Sequence, residues 1–181
     1  MHRQPLLDLL NLYLEDYPGE EDRTLQFIDF VQGHSTCFER HLEKGHITGS
    51  AWIVDSSGSQ TLLTHHRKLN LWLQPGGHAD GNADVMEVAM QEGLEETGLA
   101  ALQPVKRRIL DLDIHGIPAR KDEPSHFHYD VRFLLQQEGE SDYIVSEESH
   151  DLAWVPMEKL EEYTDEWSMR RMRRKALNWL K

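Results

Sequence analysis

The stretch from Gln74 to Leu99, QPGGHADGNADVMEVAMQEGLEETGL, constrains this chain more than any other. Glycines at 76, 77 and 81 lead into a segment of helical spacing that closes on Glu92, Glu95, Glu96, Gly98 and Leu99. At about 100° per residue, the three glutamates fall within roughly 100° of one another, on one helical face. Like charges at that spacing repel. Met86, Met90, Leu94 and Thr97 fall on the other side and are expected to pack on a sheet. The glycines permit tight backbone approach, and Gly98 suits a C-cap. Two explanations of the crowded acids stand: a solvated charged face, or a cation seated among them. Hard divalent ions such as Mg²⁺ take oxygen ligands and suit grouped carboxylates.

The flanking chain supplies partners for such a helix. Leu6, Leu9, Leu10, Tyr13 and Tyr17 follow helical spacing, and Pro18-Gly19 stops that helix. A second helix is expected from about Glu20, with Phe27, Phe30, Val31, His34 and Phe38 as its apolar stripe. Residues 1–44 therefore read as a helical extension, and residues 45–181 as the main domain. HITGSAWIV and TLLTHH flank Asp55–Ser59 as a hairpin. PVKRRILDLDIHGIP reads as one strand, HFHYDVRFLL as a half-buried alternating strand, and DLAWV as a last short strand. Pro156 opens a helix, and a final helix is expected over about 165–181 with Met169, Met172, Ala176 and Leu180 on its core face. Strands on both sides of a central helix imply an α/β sandwich with a mixed sheet.

Charge narrows the partners. The formal net charge of −13 disfavours nucleic acid or an anionic membrane as the main partner. RRMRRK at 170–175 follows a run of acids and reads as solvated helix faces with paired charges. One cysteine, Cys37, allows no internal disulfide and favours a cytoplasmic setting. No apolar run is long enough to span a bilayer, and LLDLLNLYL makes a poor signal peptide. The two apolar stripes of the extension need a cover, either the chain's own sheet or a second copy in a homodimer.

The register of glycines and acids resembles the Nudix hydrolase family, whose box is G-x5-E-x7-R-E-U-x-E-E-x-G-U with U bulky and apolar. Gly77 takes the first glycine, Glu92, Glu95 and Glu96 the helix acids, and Gly98-Leu99 the closing pair. WLQPGG before the box and WVPMEKL from Trp154 look like Nudix flanking elements, so the resemblance covers about residues 45–165. It implies a Nudix-like α/β/α sandwich and hydrolysis of a diphosphate linkage in a nucleoside diphosphate derivative. Mg²⁺ or Mn²⁺ would be held by Glu92, Glu95, Glu96 and the Gly77 carbonyl. Three positions depart from the box: Ala83 replaces its first glutamate, Gln91 its arginine and Gly93 its first apolar residue. Asp84 is a candidate stand-in for the missing acid, one residue out of register. Ala83 and Gln91 keep a second reading open, a Nudix-fold module that binds a nucleotide without cleaving it. Cys37 lies outside the box, which argues against the cysteine-dependent isoprenoid diphosphate isomerases of the same fold.

The remaining site candidates come from loops and histidines. Glu148 in SEESHD is chosen as the general base, with Glu147 in reserve; Glu95 is the catalytic candidate on the helix. His66, within His65-His66-Arg67-Lys68, and His128 are taken as substrate contacts. His126 and His128 share a strand face and can contact phosphate, accept a proton or bind a transition metal, although a solvated face is the simpler reading. His78, next to Gly77, is the histidine nearest the glycine loop in sequence.

Overall fold

Residues 2–120 and 124–181 are described by a computed structural model. Leucines and tyrosines at helical spacing form α1 (Gln4–Asp16), which buries Leu6, Leu10 and Tyr13. Tyr17 leaves the helical region at φ −133° and ψ 65°, as a residue before proline tends to do. A single 3₁₀ turn (Pro18–Glu20) leads into α2 (Glu21–Gly33). This helix ends sooner than its apolar stripe suggested. His34 is extended, and Phe38 reaches the core from the turns that follow.

The strands are β1 (Gly45–Val54), β2 (Gln60–His66), β3 (Leu71–Leu73) and β4 (Gly76–His78). After α3 (Val85–Thr97) come β5 (Leu102–Pro104), β6 (Asp111–Ile117), β7 (His126–Gln137) and β8 (Ser149–Pro156). A 3₁₀ helix (Met157–Glu162) and α4 (Trp167–Trp179) close the chain. Asp55 makes the β1–β2 turn by accepting from the Ser59 and Gln60 amides. Of the segment expected as one strand after the box, PVKRRILDLDIHGIP, only Asp111–Ile117 is a strand, β6; β5 ends at its first residue, and bends at 105–108 follow. The short strands β3 and β4 were not anticipated.

β1 is the hub of a mixed sheet. It runs parallel to β7 along its whole length. It pairs antiparallel with β4 through Thr48–Ser50 and with β2 through Ile53 and Val54. β6 and β5 pair with successive parts of β7, and β3 and β8 flank β2. Odd-numbered residues of β1, such as Ile47, Ala51 and Ile53, join a core with α1, α2 and α3. Trp52 and Val54 face the other way, into a core with Met169, Met172 and Ala176 of α4. The result is the expected α/β/α sandwich. The apolar stripes of α1 and α2 are covered by the chain's own sheet: Phe30 stacks on Tyr129 of β7 at 3.8 Å between ring centres.

Charge as well as apolar surface fixes α4. Arg171 and Lys175, expected on solvated faces, are buried. Asp111 on β6, wholly buried, accepts from Arg171 Nε at 2.8 Å and from Lys175 Nζ at 2.7 Å. Arg132 on β7 lies 3.4 Å from the same carboxylate, and Lys175 also reaches Glu20 at 2.8 Å. The basic run at the end of the chain is therefore partly a structural clamp between α4, the sheet and the N-terminal helices.

Gly93 explains one departure from the box. A Cβ there would lie 2.9 Å from Leu102 Cδ1 and 3.3 Å from Ile53 Cδ1, so the missing side chain lets α3 lie close on the sheet. We expect Gly93→Leu to overpack this contact and cost about 1–3 kcal/mol, despite its better helix propensity. Urea unfolding of the two proteins reads this directly; an unchanged midpoint would refute it.

Candidate active site

The sheet-facing stripe of α3 is Val85, Ala89, Gly93 and Thr97, with Met86 and Val88 also buried. Met90 and Leu94 are only partly buried. The expected apolar face is thus rotated toward the acids. Glu92 and Glu96 each precede a stripe residue and are half-buried at the margin of the helix–sheet contact, whereas Glu95 points outward and is exposed.

Backbone approach then completes the acidic cluster. The Gly76 amide donates to Glu96 Oε1 at 2.8 Å. A Cβ on Gly77, which pairs with β1, would come within 2.3 Å of the Glu92 carboxylate, so a side chain there would displace that carboxylate from its present place. Gly98 caps α3 in the left-handed region at φ 68°. Beyond it, the Ile144 amide donates to the Thr97 carbonyl at 2.7 Å, and the Glu148 carbonyl accepts from the Arg67 amide at 3.0 Å. These bonds lay the acidic loop beside the helix end. Glu148 stands close enough to raise the pKa of both Glu92 and Glu96.

Burial, then Glu95 and Glu148, push the Glu92 carboxyl above its usual range, with Arg40 opposing. Burial pushes Glu96 up to about 7; the Gly76 amide opposes this, and Glu92 and Glu148 add to it. A carboxyl that ionises less readily in the folded chain opposes folding once the unfolded chain is ionised. For Glu96 that penalty is absent below about pH 4, grows with pH and is complete above the folded value of about 7. In chelator-treated protein, Glu96→Gln should therefore gain stability relative to wild type as pH rises from about 5 to 8. The gain should be on the order of 2 kcal/mol. Paired thermal melts check it, and a difference that stays constant with pH would refute it.

The departures from the box have local roles. Gln91 donates to Glu95 Oε1 at 2.8 Å, so a neutral donor orients that acid in place of an arginine. Ala83 packs against the core. Asp84 does not stand in for the missing glutamate, because its carboxylate caps α3 by accepting from the Glu87 amide at 3.1 Å.

The histidines divide between two places. His66 Nδ1 accepts from the Lys68 and Leu69 amides, and the ring is close enough to feel the Glu148 charge. His65 stacks on Trp72 with ring centres 4.9 Å apart. His128 lies elsewhere. Side chains alternate along β1, and Gly49 meets α3 while His46 and Thr48 point to the opposite face. His128 pairs in register with His46, so it shares that opposite face with His46 and His78. Burial and the neighbouring imidazoles hold His46 down at about 4 and His128 at about 2. Sequence reasoning singled out His78 and His128 but missed His46, because only the β1–β7 register shows that the three meet. Cys37 is buried, and burial pushes its thiol up to about 11, which fits an inert core residue.

The sequence profile of the NUDIX domain matches residues 45–176. The chain belongs to the Nudix family. A curated Nudix relative, the m7GpppN-mRNA hydrolase NUDT17 of Xenopus laevis, is 34% identical over 105 residues. That match takes in 54% of this chain but 35% of the relative, so the chain spans about a third of that protein's length. Among solved structures, a C. elegans Ap4A hydrolase superposes with a TM-score of 0.58 at 21% identity, covering 74% of this chain and 97% of the other. The E. coli dihydroneopterin triphosphate pyrophosphohydrolase gives 0.55 at 14%, covering 73% and 95%. The Nudix domain of Shewanella oneidensis NrtR, solved with ADP ribose, gives 0.52 at 14%, covering 75% and 88%. At these identities the structural likeness establishes the Nudix fold. Among the described residues, no helix is long and apolar enough to cross a membrane.

Proposed function

We propose that this Nudix domain hydrolyses a diphosphate linkage in a nucleoside diphosphate derivative with the aid of Mg²⁺ or Mn²⁺. The meeting of Gly77, Glu92, Glu96 and Glu148 at the α3–sheet margin carries this reading. The donor set is all oxygen, and its acids resist sharing charge, which suits a hard divalent cation. Glu92, Glu95, Glu96 and the Gly77 carbonyl would hold it. When bound, such an ion neutralises phosphate charge and acidifies a coordinated water. Glu148 is the base that takes the proton of the attacking water, since the acidic loop brings it to Glu92 and Glu96. Glu95, oriented by Gln91, supports the same cluster from its exposed side. His66, beside Glu148, contacts the substrate.

Two relatives bear names that refer to nucleotide derivatives, an mRNA cap hydrolase and an Ap4A hydrolase, which supports the substrate class. In this reading residues 1–44 form a helical extension docked on a Nudix domain of 45–181, and the lone buried thiol accords with a cytoplasmic setting. The test is a panel of nucleoside diphosphate sugars, dinucleoside polyphosphates and capped nucleotides, with Mg²⁺, Mn²⁺ or chelator. Metal-dependent release of nucleotide is expected. Tight calorimetric binding of an uncleaved nucleotide would instead favour the non-catalytic module. The Gln91–Glu95 bond weighs toward the enzyme, because the acid keeps an orienting partner.

A further inference from the structure

We propose that His46, His78 and His128 form a second metal site, for a borderline transition ion such as Zn²⁺, on the sheet face opposite the glutamates. Three adjacent strands deliver one imidazole each. His46 on β1 and His128 on β7 are register partners, and His78 on β4 pairs with Thr48, two residues along β1 from His46. One ring nitrogen from each lies within 4.8 Å of the others. The ring centres are 4.9–5.0 Å apart in all three pairs.

A second observation points to a ligand. His46 is 3% exposed, yet neither of its ring nitrogens has a hydrogen-bond partner among the described residues. Nε2 of His128 is in the same condition. An imidazole buried with both nitrogens idle forfeits a donor and an acceptor, which costs free energy unless a ligand uses them. Imidazole nitrogens suit Zn²⁺, Ni²⁺, Co²⁺ and Cu²⁺, and three of them leave a position open for water or a substrate oxygen. His126, with its ring centre 4.9 Å from that of His46, borders the cluster and can supply a further ligand. His78 and His128 are only partly buried, so the cluster is open to entry from solvent. The glutamates offer oxygen on one face of the sheet and the histidines nitrogen on the other, so the two sites select different ions.

The site is tested with Co²⁺ as a visible probe in excess Mg²⁺, which prefers oxygen ligands. The wild-type protein should bind one equivalent with the d–d absorption of nitrogen-ligated cobalt, and Zn²⁺ should displace it. His46→Ala, and separately His78→Gln at the half-exposed strand end, should weaken Co²⁺ binding by more than about 100-fold. Glu92→Gln/Glu96→Gln should leave the spectrum unchanged, which separates this site from the proposed catalytic one and makes the outcome independent of turnover. Folded protein that binds no cobalt would overturn the proposal. So would a spectrum lost with the glutamates and kept in both histidine variants, or stabilisation by inorganic phosphate with no metal bound, which would make the cluster an anion site.

Discussion

Glu92→Gln and Glu96→Gln, made separately, are each expected to lower kcat on the proposed diphosphate substrate by about 10²–10⁴-fold, the range for removing a positioned charged group from a hydrolytic site. Amide for carboxylate keeps shape and removes charge, so the effect reports electrostatics and not packing. Glu96→Gln even relieves a buried charge, so this variant should be less active while no less stable in chelator. That opposition separates a functional residue from a structural one. Gly77→Ala should act in the same direction by another route, because its Cβ, 2.3 Å from the Glu92 carboxylate, would push that carboxylate out of its place. Steady-state kinetics with varied Mg²⁺, beside circular dichroism of each variant, is the measurement. Full activity in either glutamine variant would remove the acidic cluster from the mechanism.

The largest expected effect on stability is at Asp111, far from the acids of α3 in sequence and role. Asp111→Asn keeps the volume but deprives Arg132, Arg171 and Lys175 of their shared buried anion. Breaking a buried pair from one side typically costs about 3–5 kcal/mol, because the opposite charge remains desolvated. Against burial, Arg171, Arg132 and Lys175 hold the Asp111 carboxyl below its usual range, and His115, Arg132 and Arg171 do the same for Asp113. The sign follows: this stability is present above the unfolded carboxyl value of about 3.9 and is lost as pH falls toward the depressed folded values. Acid unfolding of wild type should therefore steepen in that window, and Asp111→Asn should show less of it. Chemical denaturation at neutral pH gives the magnitude; a loss below about 1 kcal/mol would mean that the network is worth little more than surface pairs.

Legibility in the sequence followed the range of the interactions. Helices α1, α2 and α4, the β1–β2 hairpin and β7 were readable because periodicity and turn residues act over a few positions. The strand expected over residues 104–118 shortened to β6, with β5 just before it, since β7 offers each of them a different part of its edge. Arg171 and Lys175 looked solvated because helix-surface statistics do not contain Asp111, about 60 residues away. The α3 face was misjudged for a related reason. Apolar size pointed to Met90 and Leu94, while close packing on β1 selected the small residues Ala89 and Gly93.

By itself the sequence determined the Nudix family, the acidic helix with its glycine approach and its caps, because these are encoded by spacing within 26 consecutive residues. Only the tertiary structure decided which acids are half-buried, that Gly77 directly faces the Glu92 carboxylate, and that Glu148 arrives from a loop more than 50 residues away. It alone brought His46, His78 and His128 from three strands to one spot. The physical reason is common to all of these. Burial, electrostatic coupling and ligand geometry depend on strand register and helix seating, and those are settled by contacts between segments that carry no local mark of one another.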